Sequence, residues 1–161
     1  MSTATERLYS MIEDFSNAML ITQGDKGLNA RPMAIASIDA EHDTIWFATD
    51  METEKVDEIM NNPEVNVAFQ GKLNFASVRG SAKINRDQQK INQLWNESWK
   101  TWFPEGKTDS NITLIEVNAK GGEFWDMSGT NGLSMLIDTA RAYIKGETPE
   151  RDSSRHDTVE L

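Results

Sequence analysis

Apolar residues recur at two different periods along this chain, and the switches between them mark out its elements. Leu8, Met11, Ile12 and Phe15 fall at i, i+3, i+4 and i+7, so residues 4–15 are expected as a helix with Thr3 or Thr5 as its cap. Ala18–Gln23 then reads as a strand ending in the turn Gly24-Asp25-Lys26-Gly27. A second strand over Leu28–Ile38 is interrupted by Pro32. The segment Ala40-Glu41-His42-Asp43 turns into Thr44–Thr49, where Ile45, Trp46 and Phe47 favour strand. Strand, turn, strand, turn, strand is the order of an antiparallel meander.

Further on, Thr53–Asn61 carries Val56, Ile59 and Met60 on one helical side, and Asn61-Asn62-Pro63 stops it. Val65–Gln70 and Asn74–Asn85 read as strands around a turn at Gly71-Lys72. Residues 87–102 place Ile91, Leu94, Trp95, Trp99 and Trp102 at helical spacing, which predicts one helix packed on the sheet and ended by Phe103-Pro104-Glu105-Gly106. Ile112–Phe124 is the last expected strand, bent at Gly121-Gly122, and Gly132–Lys145 the last helix. Residues 146–161 have almost no apolar side chains and are expected to be mobile or laid across a neighbour. About six strands with short turns and three or four peripheral helices fit a closed antiparallel barrel, with a mixed open sheet as the competitor. The absence of regular strand–helix alternation argues against a doubly wound parallel fold.

Composition narrows the chemistry. The 161 residues suit one domain with a terminal appendage, divided here as 1–145 and a polar tail at 146–161. Cysteine is absent, which removes disulfides, thiolate catalysis and thiolate metal sites. No run approaches the ~18 apolar residues of a membrane span. The first fifteen residues carry acids and no apolar core, unlike a signal peptide, so a cytoplasmic location is the expectation. A formal net charge of -10 disfavours broad contact with nucleic acid or an anionic membrane. A local anion site is still open to it, provided one pocket concentrates positive potential.

Three constellations carry candidate chemistry. In Thr49-Asp50-Met51-Glu52-Thr53-Glu54-Lys55 a strand end leads into a helix start with Thr53 as N-cap. Free N–H groups and the dipole at a helix N-terminus attract anions, and Lys55 adds a compact positive charge. The commoner arrangement for these residues alone is an ordinary capped helix with a surface lysine, and Asp50, Glu52 or Glu54 facing inward would repel a phosphate. Arg31-Pro32-Met33 places a proline where it removes a ladder donor, which frees backbone groups for a heterocyclic ring and lets Arg31 approach a phosphate or a ring carbonyl. An edge proline beside a surface arginine explains the same residues. Trp125, at a strand end, either stacks on a planar ligand or plugs the barrel. His42 and His156 lie in polar sequence with no metal or nucleophile spacing and are expected on the surface. No metal site, carboxylate pair or glycine-rich phosphate loop can be nominated, and no catalytic acid or base.

Taken in order, these pieces resemble the pyridoxamine 5′-phosphate oxidase-like FMN-binding split barrels, in the general stress protein 26 branch. The series runs from Ala18-Met19-Leu20-Ile21-Thr22 through Arg31-Pro32-Met33, Ile45-Trp46-Phe47-Ala48-Thr49, Lys55, Asn62-Pro63 and Val65-Asn66-Val67. It continues with Val78-Arg79-Gly80-Ser81-Ala82, Leu94-Trp95-Asn96, Trp102-Phe103-Pro104 and Phe124-Trp125-Asp126. The resemblance implies a mainly β, six-stranded antiparallel split barrel with peripheral helices. It further implies a homodimer with FMN at the subunit interface. Arg31, Pro32 and Met33 would lie along the flavin, Thr49, Thr53 and Lys55 would surround its phosphate, and Trp125 would approach it from the partner subunit.

Where many flavin-binding members carry a second base beside the lysine, this chain has Glu54. The Arg- and His-bearing C-terminal motif of the true oxidases is not recognisable, so vitamin B6 oxidation is not expected. The activity implied is that of an FMN-dependent oxidoreductase or flavin reductase-like protein of stress response. The alternatives are a non-enzymatic flavin-binding or sensor protein, or a barrel that takes another planar anion such as haem or a deazaflavin.

Overall fold

The computed structural model describes residues 3–146, 148 and 155–161. Helix α1 (Ala4–Ile12) opens the chain, and Thr3 caps it in a reciprocal box with Glu6. Strands β1 (Asn17–Gly24), β2 (Gly27–Asp39) and β3 (Thr44–Asp50) form the expected meander. Helix α2 (Glu54–Asn61) leads into β4 (Glu64–Gln70) and β5 (Asn74–Asn85). After α3 (Gln88–Leu94) and two short 3-10 turns come β6 (Ile112–Asp126), α4 (Gly129–Lys145) and β7 (His156–Glu160).

Every strand pairing is antiparallel, and the order β3-β2-β1-β4-β5-β6 closes on itself through β3 and β6. This is a six-stranded barrel with peripheral helices, so the open sheet is excluded. Its interior holds Leu20, Phe47, Phe69, Val78, Ile115 and Phe124, and α1 closes it with Leu8 and Ile12. At about 1.5–3 kcal/mol for each fully buried large side chain, this cluster is the main source of the barrel's stability. A second, smaller cluster lies outside the barrel wall, where Trp46, Ile112 and Leu114 meet Ile91 and Phe103. Strand β3 is therefore covered on both faces. This accounts for its continuous apolar run, since alternation is needed only where one face meets water.

Three differences from the sequence expectation have local causes. The helix expected over 87–102 stops at Leu94, because the Asn96 side chain accepts from the Ser98 N–H and starts a separate 3-10 turn over Glu97–Thr101. Trp95 and Trp99 then meet edge-to-face and pack together against the smaller cluster, whereas Trp102 is 77% exposed. The bend in β6 falls at Lys120, which is skipped in the pairing between Arg79↔Gly121 and Gly80↔Ala119. There Gly80 lets the strands touch, since a Cβ would stand 2.5 Å from the Asn118 carbonyl oxygen.

The third difference is in the tail. Beyond the bend, β6 exchanges β3 for β7 as its neighbour, with Gly121–Trp125 facing His156–Glu160. Val159 is buried in the main core, and Arg7–Asp157 and Arg79–Glu160 ion pairs tie the strand down. So this part of the tail is an ordered strand, while residues 147 and 149–154 lie outside the described residues. Among the described residues no helix is long and apolar enough to cross a membrane.

Candidate functional site

The barrel opens between β2 and β3. Their ladder runs from Asp39↔Thr44 only as far as Ile35↔Phe47, with an irregularity between Ile35 and Ser37. Pro32 cannot donate a ladder hydrogen bond, which weakens the pairing of β3 with that stretch of β2. Residues 32–34 and 48–50 consequently separate and become the two walls of a cavity of about 470 Å³. Trp99, Trp102 and Phe103 form its apolar side, and Thr49, Asp50, Thr53 and Lys55 its polar end. An apolar slot with a few polar groups at one end, in this size range, is the usual form of a small-molecule site.

At the polar end the chain turns from β3 into α2. The Val56 N–H bonds back to the Thr53 carbonyl at 2.9 Å, and the N–H groups of Glu54 and Lys55 meet no acceptor among the described residues. Thr53 holds the N-cap position, but its hydroxyl donates to the Asp50 carbonyl at 2.8 Å instead of accepting from the helix. Lys55 Nζ donates to the buried Thr49 Oγ1 at 3.0 Å, and no carboxylate pairs with it among the described residues. Burial lowers the Lys55 pKa, and the nearby Arg31 charge lowers it further, against opposing contributions from Asp50 and Glu58. An ammonium held short of its full solvation, beside unsatisfied N–H donors, is suited to an anion.

Glu54 is exposed and lines a separate pocket with Asp25, Lys26 and Asp57. Its position beside Lys55 in sequence thus does not bring its charge into the cavity. Asp50 does line the cavity, with Oδ1 accepting from the Glu52 N–H at 2.7 Å. A larger cavity of about 650 Å³ lies against α1, but Glu6, Asp14 and Asp126 stand around its one cation, Arg7, which is already paired with Asp157. Its charge balance does not suit an anion.

A family model described as pyridoxamine 5′-phosphate oxidase like matches residues 3–150. The chain belongs to this family. Within it, the chain is 34% identical over 79 residues to general stress protein 26 of Bacillus subtilis, an alignment covering 46% of this chain. The same alignment spans 56% of the Bacillus protein's length. The structure of general stress protein 26 from Bacillus anthracis superposes with a TM-score of 0.67 at 28% identity, over 74% of this chain and 92% of that one. The general stress FMN/FAD binding protein of Xanthomonas citri superposes with a TM-score of 0.69 at 26% identity, over 78% and 90%.

In this family member, five of the seven residues singled out from the sequence meet at one cavity: Pro32, Met33, Thr49, Thr53 and Lys55. Arg31 stands behind them. Its Nη2 bonds Glu58 Oε2 at 2.9 Å and its Nη1 donates to Thr22 Oγ1 at 2.5 Å. Trp125 is elsewhere. Thr49 pairs with Thr113, and Trp125 lies a further twelve residues along β6, roughly 40 Å of strand at about 3.3 Å per residue. Its indole stacks on His156, with ring centroids 5.2 Å apart and planes 6° from parallel.

His156 is correspondingly no free surface residue, since Nε2 also meets Glu123 Oε1 at 2.5 Å. His42 is exposed and bonded to Asp39, as expected of a turn residue. Sequence reasoning missed Trp99, Trp102 and Phe103 as cavity residues, because helical spacing assigned the tryptophans to a helix face. The usable signal was Asn96, a capping residue inside the supposed helix.

Proposed function

We propose that this protein binds FMN in the cavity between β2 and β3, with Lys55, Thr49 and the first turn of α2 at the phosphate. The observation that carries the reading is Lys55 itself: a partly buried ammonium, without an ion pair among the described residues, at the polar end of an apolar slot. The residues present fit such a cofactor chemically. A phosphate monoester needs one or two cationic or N–H donors, and a flat heterocycle needs apolar faces with backbone groups at its edge. Pro32, Met33 and Ala34 supply that edge, and Trp99, Trp102 and Phe103 supply apolar surface. The similarity to the general stress FMN/FAD binding protein of Xanthomonas citri supports the same reading.

Bound FMN supplies electron transfer, and the chain binds, orients and shields it. The activity we infer is that of a stress-type oxidoreductase or flavin reductase-like protein. We further infer a homodimer. Within one chain Trp125 does not line the cavity, so it meets a flavin only from a second copy. Helix α4 leaves Leu133, Leu136, Ile137 and Ile144 exposed, an apolar face suited to such an interface.

Titration of the purified protein with FMN, followed by quenching of flavin fluorescence, tests the reading, with riboflavin as the phosphate-free control. FMN should bind more tightly than riboflavin. Absence of quenching, in a protein that also purifies colourless, sinks it. A second reading is a flavin carrier or sensor without turnover. It is favoured by the cavity lining, in which Asp50 and Lys55 are the charged side chains among the described residues and both lie at the phosphate end. Steady NADH or NADPH oxidation by the flavin-loaded protein would reject it.

A further inference from the structure

Arg31 stands two residues before Met33 on β2 and so faces the same side of the sheet, yet it does not line the cavity that Met33 lines. Its guanidinium is held by Glu58 and Thr22. Glu58 in turn sits one helical turn beyond Lys55 on α2, and although it lines the neighbouring pocket together with Glu54, its charge reaches the cation of the phosphate end. Both charges act on Lys55 across this short distance. Two cations lie within reach of one anion site, and an acid has claimed one of them.

The pair is not symmetrical in what it would lose on separation. Glu58 accepts from three donors: Thr22 Oγ1 at 2.5 Å, Asn29 Nδ2 at 2.5 Å and Arg31 Nη2 at 2.9 Å. Without Arg31 it would keep two of them. Arg31 for its part is a planar fork that pairs with phosphate as readily as with carboxylate. Side chains 22% and 12% exposed leave the pair close enough to water for such an exchange.

We propose that Glu58 is a latch that sets the affinity of the Lys55 site for a phosphate monoester, by holding the Arg31 guanidinium away from it. This rests on the FMN reading above. The latch makes Glu58 a positioning residue: it touches no ligand and acts through Arg31. It also makes Arg31 a reserve cation, recruited when a dianion outcompetes the carboxylate.

The test is FMN and riboflavin titration of the full chain carrying Glu58→Gln, beside the unsubstituted protein, each checked for folding by thermal melting. FMN should bind about fivefold or more tightly, as when a charged hydrogen bond is gained, with riboflavin affinity unchanged. Adding Arg31→Met to Glu58→Gln should abolish that gain. An unchanged or weakened FMN affinity in folded Glu58→Gln overturns the latch and leaves Glu58 a strut, while binding by the unsubstituted protein still upholds the FMN reading. If neither protein binds FMN, both fall. If only Glu58→Gln binds it, the latch stands and the FMN reading of the natural chain falls. Should Glu58→Gln not fold, Glu58→Ala, which leaves Arg31 bonded to Thr22, is read against the same outcomes.

Discussion

Replacing Lys55 with Met separates the phosphate role of this residue from any role in folding. Opposite unit charges about 4 Å apart attract by ~4 kcal/mol at an effective dielectric of 20, and a phosphate monoester carries between one and two charges near neutral pH. Against that stand the dehydration of the two groups and the screening of a site only partly buried. The net worth of a charged hydrogen bond is about 1–3 kcal/mol, or roughly a 5- to 150-fold weaker dissociation constant for FMN. Riboflavin, which lacks the phosphate, should bind Lys55→Met as well as it binds the natural protein.

The stability prediction for the same variant runs the other way. Burial holds the folded pKa of Lys55 below its ordinary 10.5, so the charged form is disfavoured by folding. At neutral pH the residue therefore costs stability, a cost that fades as pH rises through the lowered folded value towards 10.5. Ligand-free Lys55→Met should accordingly melt no lower than the natural protein. Calorimetric or fluorescence titration with both ligands, together with the melting curve, checks all three outcomes. An unchanged FMN constant, or equal losses for FMN and riboflavin, would refute the assignment of Lys55 to the phosphate.

Trp102→Ala should leave stability within about 0.5 kcal/mol, because the ring is exposed. If the ring stacks on the flavin, FMN and riboflavin should weaken together by about 0.5–1.5 kcal/mol, and a loss confined to FMN would contradict that. Val159→Asp puts a charge where the native side chain is buried in the main core, at a cost of about 3 kcal/mol or more, so the melting temperature should drop. Faster amide hydrogen exchange over residues 156–160 would show that β7 is what detaches. Desolvation pushes the Glu58 carboxyl up, but hydrogen bonds from Thr22, Asn29 and Arg31 outweigh it and hold its pKa below the ordinary 4.5. Its contribution to stability is then present above pH 4.5 and lost as pH falls through the lower folded value, so Glu58→Gln should flatten the acid limb of a stability profile.

Local patterning alone determined the meander, the helix starting at Thr53 and the strand Asn74–Asn85. Period and turn chemistry act over a few residues, and the barrel does not override them. The ordered series of short motifs added the family, and with it the grouping of Pro32, Met33, Thr49, Thr53 and Lys55. Only the tertiary structure decided where the charges around that group go. Glu54 and Lys55 are chain neighbours, yet successive helix positions point about 100° apart, so one turns to a different pocket and the other to the slot.

The partners of Arg31 were likewise beyond local reading. Thr22 and Glu58 are 9 and 27 residues away in sequence and meet it only once β1 and α2 are packed. The same holds for the C-terminus. His156–Glu160 looks like a polar tail because it contributes one buried apolar side chain, Val159, and draws the rest of its order from the free edge of β6 beyond the bend. An edge that exists only after the barrel has closed cannot be read from the segment that will occupy it.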